Sequence, residues 1–225
     1  MFYVEKEKEM SGILSWKQDE FYEKHVIKDV DGNPQFVGIV KDETPMDTRS
    51  TEFTDCNIGM LVIPRWQINE TNIHDECLNE DTIAEYFGED AVVLPVYKFE
   101  HGEIALQCEP FACRWDSGQV GWIIADEEAI KRVGMVFPED KDKRREDVER
   151  VLRSEVESYS HYVNGDVFGY IIFDKDGNNI DSCWGFYGDD HNASNLYAHA
   201  GITKETVQEW VMVQKVTLKV KGGKK

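Results

Sequence analysis

The feature that most constrains this chain is a long apolar helical stripe set between two segments that read as β-hairpins. In Glu146 to Val163, the residues Val148, Val151, Leu152, Val156, Tyr159 and Val163 recur at helical spacing, and Gly165 just beyond them is a stop signal. Upstream, Val92 to Glu100, the dipeptide His101-Gly102 and Glu103 to Gln107 predict one hairpin, with Pro95 arguing for an edge position because it has no N–H to give a neighbour. Downstream, Val167 to Phe173, the turn Asp174 to Asn178 and Ile180 to Tyr187 predict the second. Hairpins with few helices imply antiparallel pairing. The expected fold class is therefore α+β: a single domain over residues 1–225, with an antiparallel or mixed sheet of β-hairpins packed on one long amphipathic helix and a few short helices.

Other segments fit this frame. Phe2 to Val4, Phe36 to Val40 and Asn57 to Ile63 are strand-like, and Trp16 to Ile27 is weakly amphipathic. Asp29 to Asn33 is turn chemistry, since Gly and Asn tolerate positive φ. Short helices are expected from Asn79–Thr82 through Tyr86 to a stop at Gly88, and from Asp126 to Gly134. Thr203 is placed to cap Lys204 to Val213, and Val216 to Val220 alternates as a last strand would.

Charge narrows the function classes. The 225 residues carry 25 Lys and Arg against 44 Asp and Glu, a formal charge of −19, which repels phosphate and argues against direct nucleic-acid binding through a basic face. The acid is uneven. Between Arg65 and Lys98 there is no Lys or Arg, while Glu70, Asp75, Glu76, Glu80, Asp81, Glu85, Glu89 and Asp90 are all acidic. The N-terminal region 1–91 is thus read as acidic and the tail 214–225 as basic. Such a field steers a partner with a basic surface, or imitates a nucleic-acid backbone; a solvated face that keeps the protein soluble has the same composition. No apolar run reaches the roughly 20 residues of a membrane span, and the N-terminus lacks the basic-then-apolar order of a signal peptide. Five irregularly spaced cysteines suit a reducing compartment. The expected location is the cytoplasm, with no membrane partner.

Two segments are rich in chemistry-bearing residues. In Cys113 to Trp122, the residues Trp115, Asp116, Ser117 and Gln119 lie between Gly118 and Gly121 and an upstream cysteine. This predicts either a small pocket walled by Trp115 or a glycine turn whose tryptophans fill the core. In Asp181 to Gly188, strand alternation puts Asp181 and Cys183 on one face and Trp184 and Phe186 on the other, expected to be the core face. Cys183 as a nucleophile needs a base, and His161, His191 and His199 are candidates by sequence only; an inert buried thiol is the plainer reading. Glu155, at the edge of the helical stripe, is expected half-buried, either tying down the Trp115 loop or serving as a ligand acceptor or base.

Metal and cofactor motifs score low. Cys108 and Cys113 lack a completing pair, His74 to Cys77 has ligand-type residues without a known geometry, and Asp174 to Gly177 resembles only the start of a calcium loop. No phosphate loop, dinucleotide fingerprint or nucleophile elbow is present, so no cofactor and no metal are expected.

Four stretches resemble a group of proteins encoded by tailed phages and prophages of Gram-positive and gut bacteria: Trp115 to Gly121, Glu155 to Tyr159, Asn164 to Tyr170 and Asp181 to Gly188. The similarity covers about residues 92–188. It implies an accessory gene of a mobile element and carries no activity. Together with the charge, it leads to a non-enzymatic binding protein that inhibits a host defence or nucleic-acid-handling protein, of anti-CRISPR or anti-restriction type. The rival is a small-ligand or nucleotide site built from Trp115, Asp116, Ser117, Gln119, Glu155, Asp181 and Cys183; a scaffolding role is a third option.

Overall fold

A computed structural model describes residues 21–50, 56–63, 68–69, 80–88 and 90–204. The segments expected at Phe2 to Val4, at 205–213 and at Val216 to Val220 lie outside them. The described chain is α+β, with two antiparallel sheets, one long helix and a few short ones. Its backbone divides into two compact units, 46–164 and the combination of 1–45 with 165–225.

In unit 46–164 the sheet order is β4-β3-β7-β5-β6, with β3 Met60–Ile63, β4 Ile68–Asn69, β5 Val92–Glu100, β6 Ile104–Gln107 and β7 Ser117–Ala125. The helices are α1 Glu80–Phe87, α2 Glu127–Val133 and α3 Lys141–Asn164. Alternation sorts the sheet's side chains onto two faces. Leu61, Ile63, Leu94, Val96, Ile123 and Ala125 join Val148, Leu152, Val156 and Tyr159 of α3 in the main core, while Val62 and Ile124 meet Ile83 of α1 on the other side. The stripe read from the sequence is therefore the buried face of α3. The helix begins five residues before the expected Glu146, because Asp140 caps it by accepting from Lys143 N at 3.0 Å. The charged segment 141–145 shows no apolar period, so the stripe does not reveal that first turn.

Pro95 sits opposite Trp122 of β7, and β6 pairs only with Tyr97 to Glu100, so the sheet ends where the proline falls. The outer edge of β6 is closed by α3. Ser160 Oγ accepts from Leu106 N at 2.8 Å and Asn164 Oδ1 accepts from Ile104 N at 3.1 Å, so edge donors that invite another strand are already used.

The second unit holds β1 Glu23–Lys28, β2 Pro34–Lys41, β8 Val167–Phe173 and β9 Asn179–Tyr187 in the order β1-β2-β8-β9, with the short helix α4 Leu196–His199. The described part of the weakly amphipathic Trp16 to Ile27 segment is thus largely a strand, with His25 and Ile27 buried at a two-residue spacing. Its two hairpins close on the same five-residue pattern, Asp29-Val30-Asp31-Gly32-Asn33 and Asp174-Lys175-Asp176-Gly177-Asn178. In each, the first aspartate accepts from two backbone N–H groups and the Asn amide within 3.0 Å. Because Phe36 pairs with Phe173, both turns stand at one end of this sheet. The residues Val37, Ile39, Phe168, Tyr170, Ile172 and Phe186 form its core with Leu196, Ala200 and Ile202.

One expectation about β9 is corrected. Gly185, at φ 84°, is an extra residue between the pairs Gly169–Trp184 and Phe168–Phe186. This bulge reverses the alternation. Phe186 stays in the core, Cys183 packs against the same cluster, and Trp184 turns outward, 47% exposed. The indole lies over Gly169, where a Cβ would come within 2.4 Å of it.

Candidate functional site

The Trp115 loop joins β6 to β7 and is fixed by its own polar groups. Glu100 N donates to Asp116 O at 2.9 Å, Ser117 Oγ donates to Cys113 O, and the Asp116 carboxylate lies 3.5 Å from His101 Nδ1 and 3.6 Å from Cys113 Sγ. Gln119 is exposed, with Nε2 3.4 Å from Gly121 O. On this tied loop Trp115 is 96% exposed. It does not fill the core, whereas Trp122 packs against the Val62, Ile83 and Ile124 cluster, as the glycine-turn reading expects of it. The glycines have plain roles as well. A Cβ on Gly121 would collide with the Val62 carbonyl of β3, whereas one on Gly118 would meet open space.

Glu155 ties down a different segment from the one expected. Its Oε1 accepts from Ile58 N at 2.8 Å, and its Oε2 accepts from Gly59 N at 3.0 Å and Arg49 Nη2 at 3.1 Å. Arg49 Nη1 in turn donates to Gly59 O at 2.9 Å. Both charged side chains are nearly out of solvent. Burial pushes the Glu155 carboxyl up, against the opposing pull of Arg49 and the two amides. Gly59 is required for this approach, since a Cβ there would lie 2.6–2.7 Å from Leu152, Glu155 and Ile123. The carboxylate is committed to structure, and among the described residues its partners Arg49, Ile58 and Gly59 differ from the His101 and Cys113 that Asp116 meets.

Asp181 and Cys183 belong to the other unit. Asp181 is exposed, accepting from Ser182 N at 2.9 Å and lying 3.5 Å from the Tyr170 hydroxyl. Cys183 Sγ lies 3.9 Å from Trp184 O. The ring of His191 packs on Tyr22, Phe168 and Tyr197, and that of His199 on Phe186, and among the described residues the hydrogen-bond contact of the thiol is the Trp184 carbonyl and not a histidine. Of the acidic run, Glu70, Asp75, Glu76 and Glu89 lie outside the described residues; Glu80 and Asp81 open α1, Glu85 is exposed, and Asp90 pairs with Lys141 at 3.3 Å. Cys56, Cys108, Cys113 and Cys183 are free thiols, and burial pushes the Cys108 thiol up. Among the described residues, no group of three or more His, Cys, Asp or Glu is placed to hold a metal ion, and no helix is long and apolar enough to cross a membrane.

Sequence reasoning missed one cluster altogether. Glu23, two residues before His25 on β1, accepts from the Tyr197 hydroxyl at 2.6 Å and lies 2.9 Å from His25 Nε2. His191 Nε2 is 3.7 Å from its other oxygen. Both histidines are buried, at 5% and 3% exposure. The one signal was the i, i+2 placement of Glu23 and His25 on a strand; the partners come from about 170 residues away.

The fold and these sites define an α+β protein with a presented aromatic loop, and no finer class. No protein-family model, no curated protein and no solved structure matches the chain.

Proposed function

We propose that this protein acts by binding another protein, with Trp115 as the anchor and the excess negative charge as the steering field. The carrying observation is Trp115 itself, 96% exposed on a loop whose backbone is already hydrogen-bonded. An indole carried on a fixed backbone leaves only its own two side-chain torsions to be ordered when a partner covers it, and tryptophan is enriched among the residues that dominate interface energy. A formal charge of −19 favours a partner with a basic surface and accelerates encounter with it. With the resemblance to phage-encoded accessory proteins, the partner is a host defence or nucleic-acid-handling protein of the bacterial cytoplasm, inhibited without chemistry, as an anti-CRISPR or anti-restriction protein would be.

The small-ligand reading has less support, because Glu155 is consumed by Arg49 and the Ile58 and Gly59 amides. Thermal unfolding of the full chain with a panel of nucleotides separates the two. The binding-protein reading expects no rise in Tm; a dose-dependent rise abolished by Asp116→Ala supports a ligand site instead.

A further inference from the structure

We infer that Glu23, His25, His191 and Tyr197 form a proton-sensitive latch, which pins residues 189–202 to β1 at neutral pH and releases them on acidification. The geometry joins two pieces of chain through one carboxylate. Glu23 is held by His25 from its own strand and by the Tyr197 hydroxyl from α4, with His191 next to its second oxygen. Among the described residues, neither ring nitrogen of His191 has a hydrogen-bond partner, and neither has His25 Nδ1. A buried polar group without a partner is costly. An apolar ring would fill the same aromatic slot between Phe168 and Tyr197 without that penalty, and what an imidazole adds is a proton site.

The groups facing His191 set the direction. Glu23 and His25 face it from β1, Tyr22 from the residue before that strand, Asp189 and Asp190 from the loop after β9, and Tyr197 from α4. From β8 it meets the Phe168 ring, which has Lys41 of β2 at 5.8 Å. Burial lowers the His191 pKa from its ordinary 6.5, outweighing the three carboxylates. Burial also opposes the Glu23 charge, but the bonds from Tyr197 and His25 and the nearby imidazoles hold its carboxyl below the ordinary 4.5. Both folded values lie under the unfolded ones, so the unfolded segment binds more protons as pH falls. Stability is complete above the ordinary histidine value, falls as pH drops through it, and falls further in the carboxylate range.

Amide hydrogen exchange of the full chain at about pH 7.5 and about pH 5.5, corrected for intrinsic rates, reads the latch directly. The expected result is a several-fold loss of protection confined to 189–202 at the lower pH, absent in His191→Phe. Equal protection at both values, or an undiminished pH response in His191→Phe, overturns the inference. So does a response that a chelator removes, which would make the cluster a metal site. Because His191→Phe risks misfolding, the wild-type imidazole is also titrated by NMR; a His191 ring that protonates at or above the ordinary value overturns the latch.

Discussion

Arg49 Nη2 and Glu155 Oε2 lie 3.1 Å apart with side chains only 3% and 11% exposed, and this ion pair fastens the Ile58–Gly59 turn to the middle of α3. Removing Glu155 leaves the buried Arg49 charge without its counter-ion and the Ile58 and Gly59 amides without their acceptor. Glu155→Ala is expected to cost about 3–5 kcal/mol, and Arg49→Met added to it to recover part of that loss. Urea unfolding of the two single variants and the double variant checks this, with a coupling near zero as the contrary result.

Ser160 closes the edge of β6 from outside the sheet. Ser160→Ala leaves the N–H of buried Leu106 without its acceptor, an expected loss of about 1–3 kcal/mol. Exchange of the Leu106 amide should rise in the variant, while the amides of β9 keep their wild-type rates.

Gly185 carries the bulge that turns Trp184 outward. At φ 84° an added Cβ is strained even though open space surrounds it. Gly185→Ala is expected to cost about 1–2 kcal/mol, measured as a fall in the unfolding midpoint with a change in Trp184 fluorescence.

Tyr197 sets an alkaline limit opposite in sign to the acid one. Burial, then the hydrogen bond to Glu23, raise its phenol above the ordinary 10. The folded value exceeds the unfolded one, so this contribution is complete below pH 10 and is lost as pH rises through the folded value. Tyr197→Phe should remove one raised step from the tyrosinate absorbance titration and destabilise the neutral protein by about 1–2 kcal/mol.

How far the sequence was legible follows from where the physics is local. The stripe from Val148 to Val163 located the buried face of α3, and glycine turn chemistry located both hairpins, because period and turn residues are set within a few positions. The bulge at Gly185 was not legible, since strand alternation carries no mark of an inserted residue, and Trp184 was therefore assigned to the wrong face. Glu155 was read as a half-buried acid and is more deeply buried than that, and Arg49, 106 positions away, was outside any local window. The same holds for Glu23, 174 positions from Tyr197. Trp115 was read as a wall or a core residue because apolar bulk is usually buried; its exposure is decided by the Asp116 and Ser117 bonds that turn the loop outward.

The most direct test of the binding account uses the immobilised full chain and its Trp115→Ala variant against a bacterial host lysate at about 0.05 M and about 0.5 M salt. With its side chain in solvent, Trp115→Ala should leave Tm unchanged. The account predicts a basic protein retained by the wild type at low salt, released at high salt and lost from the variant. No retained protein, or retention indifferent to both salt and Trp115, contradicts it.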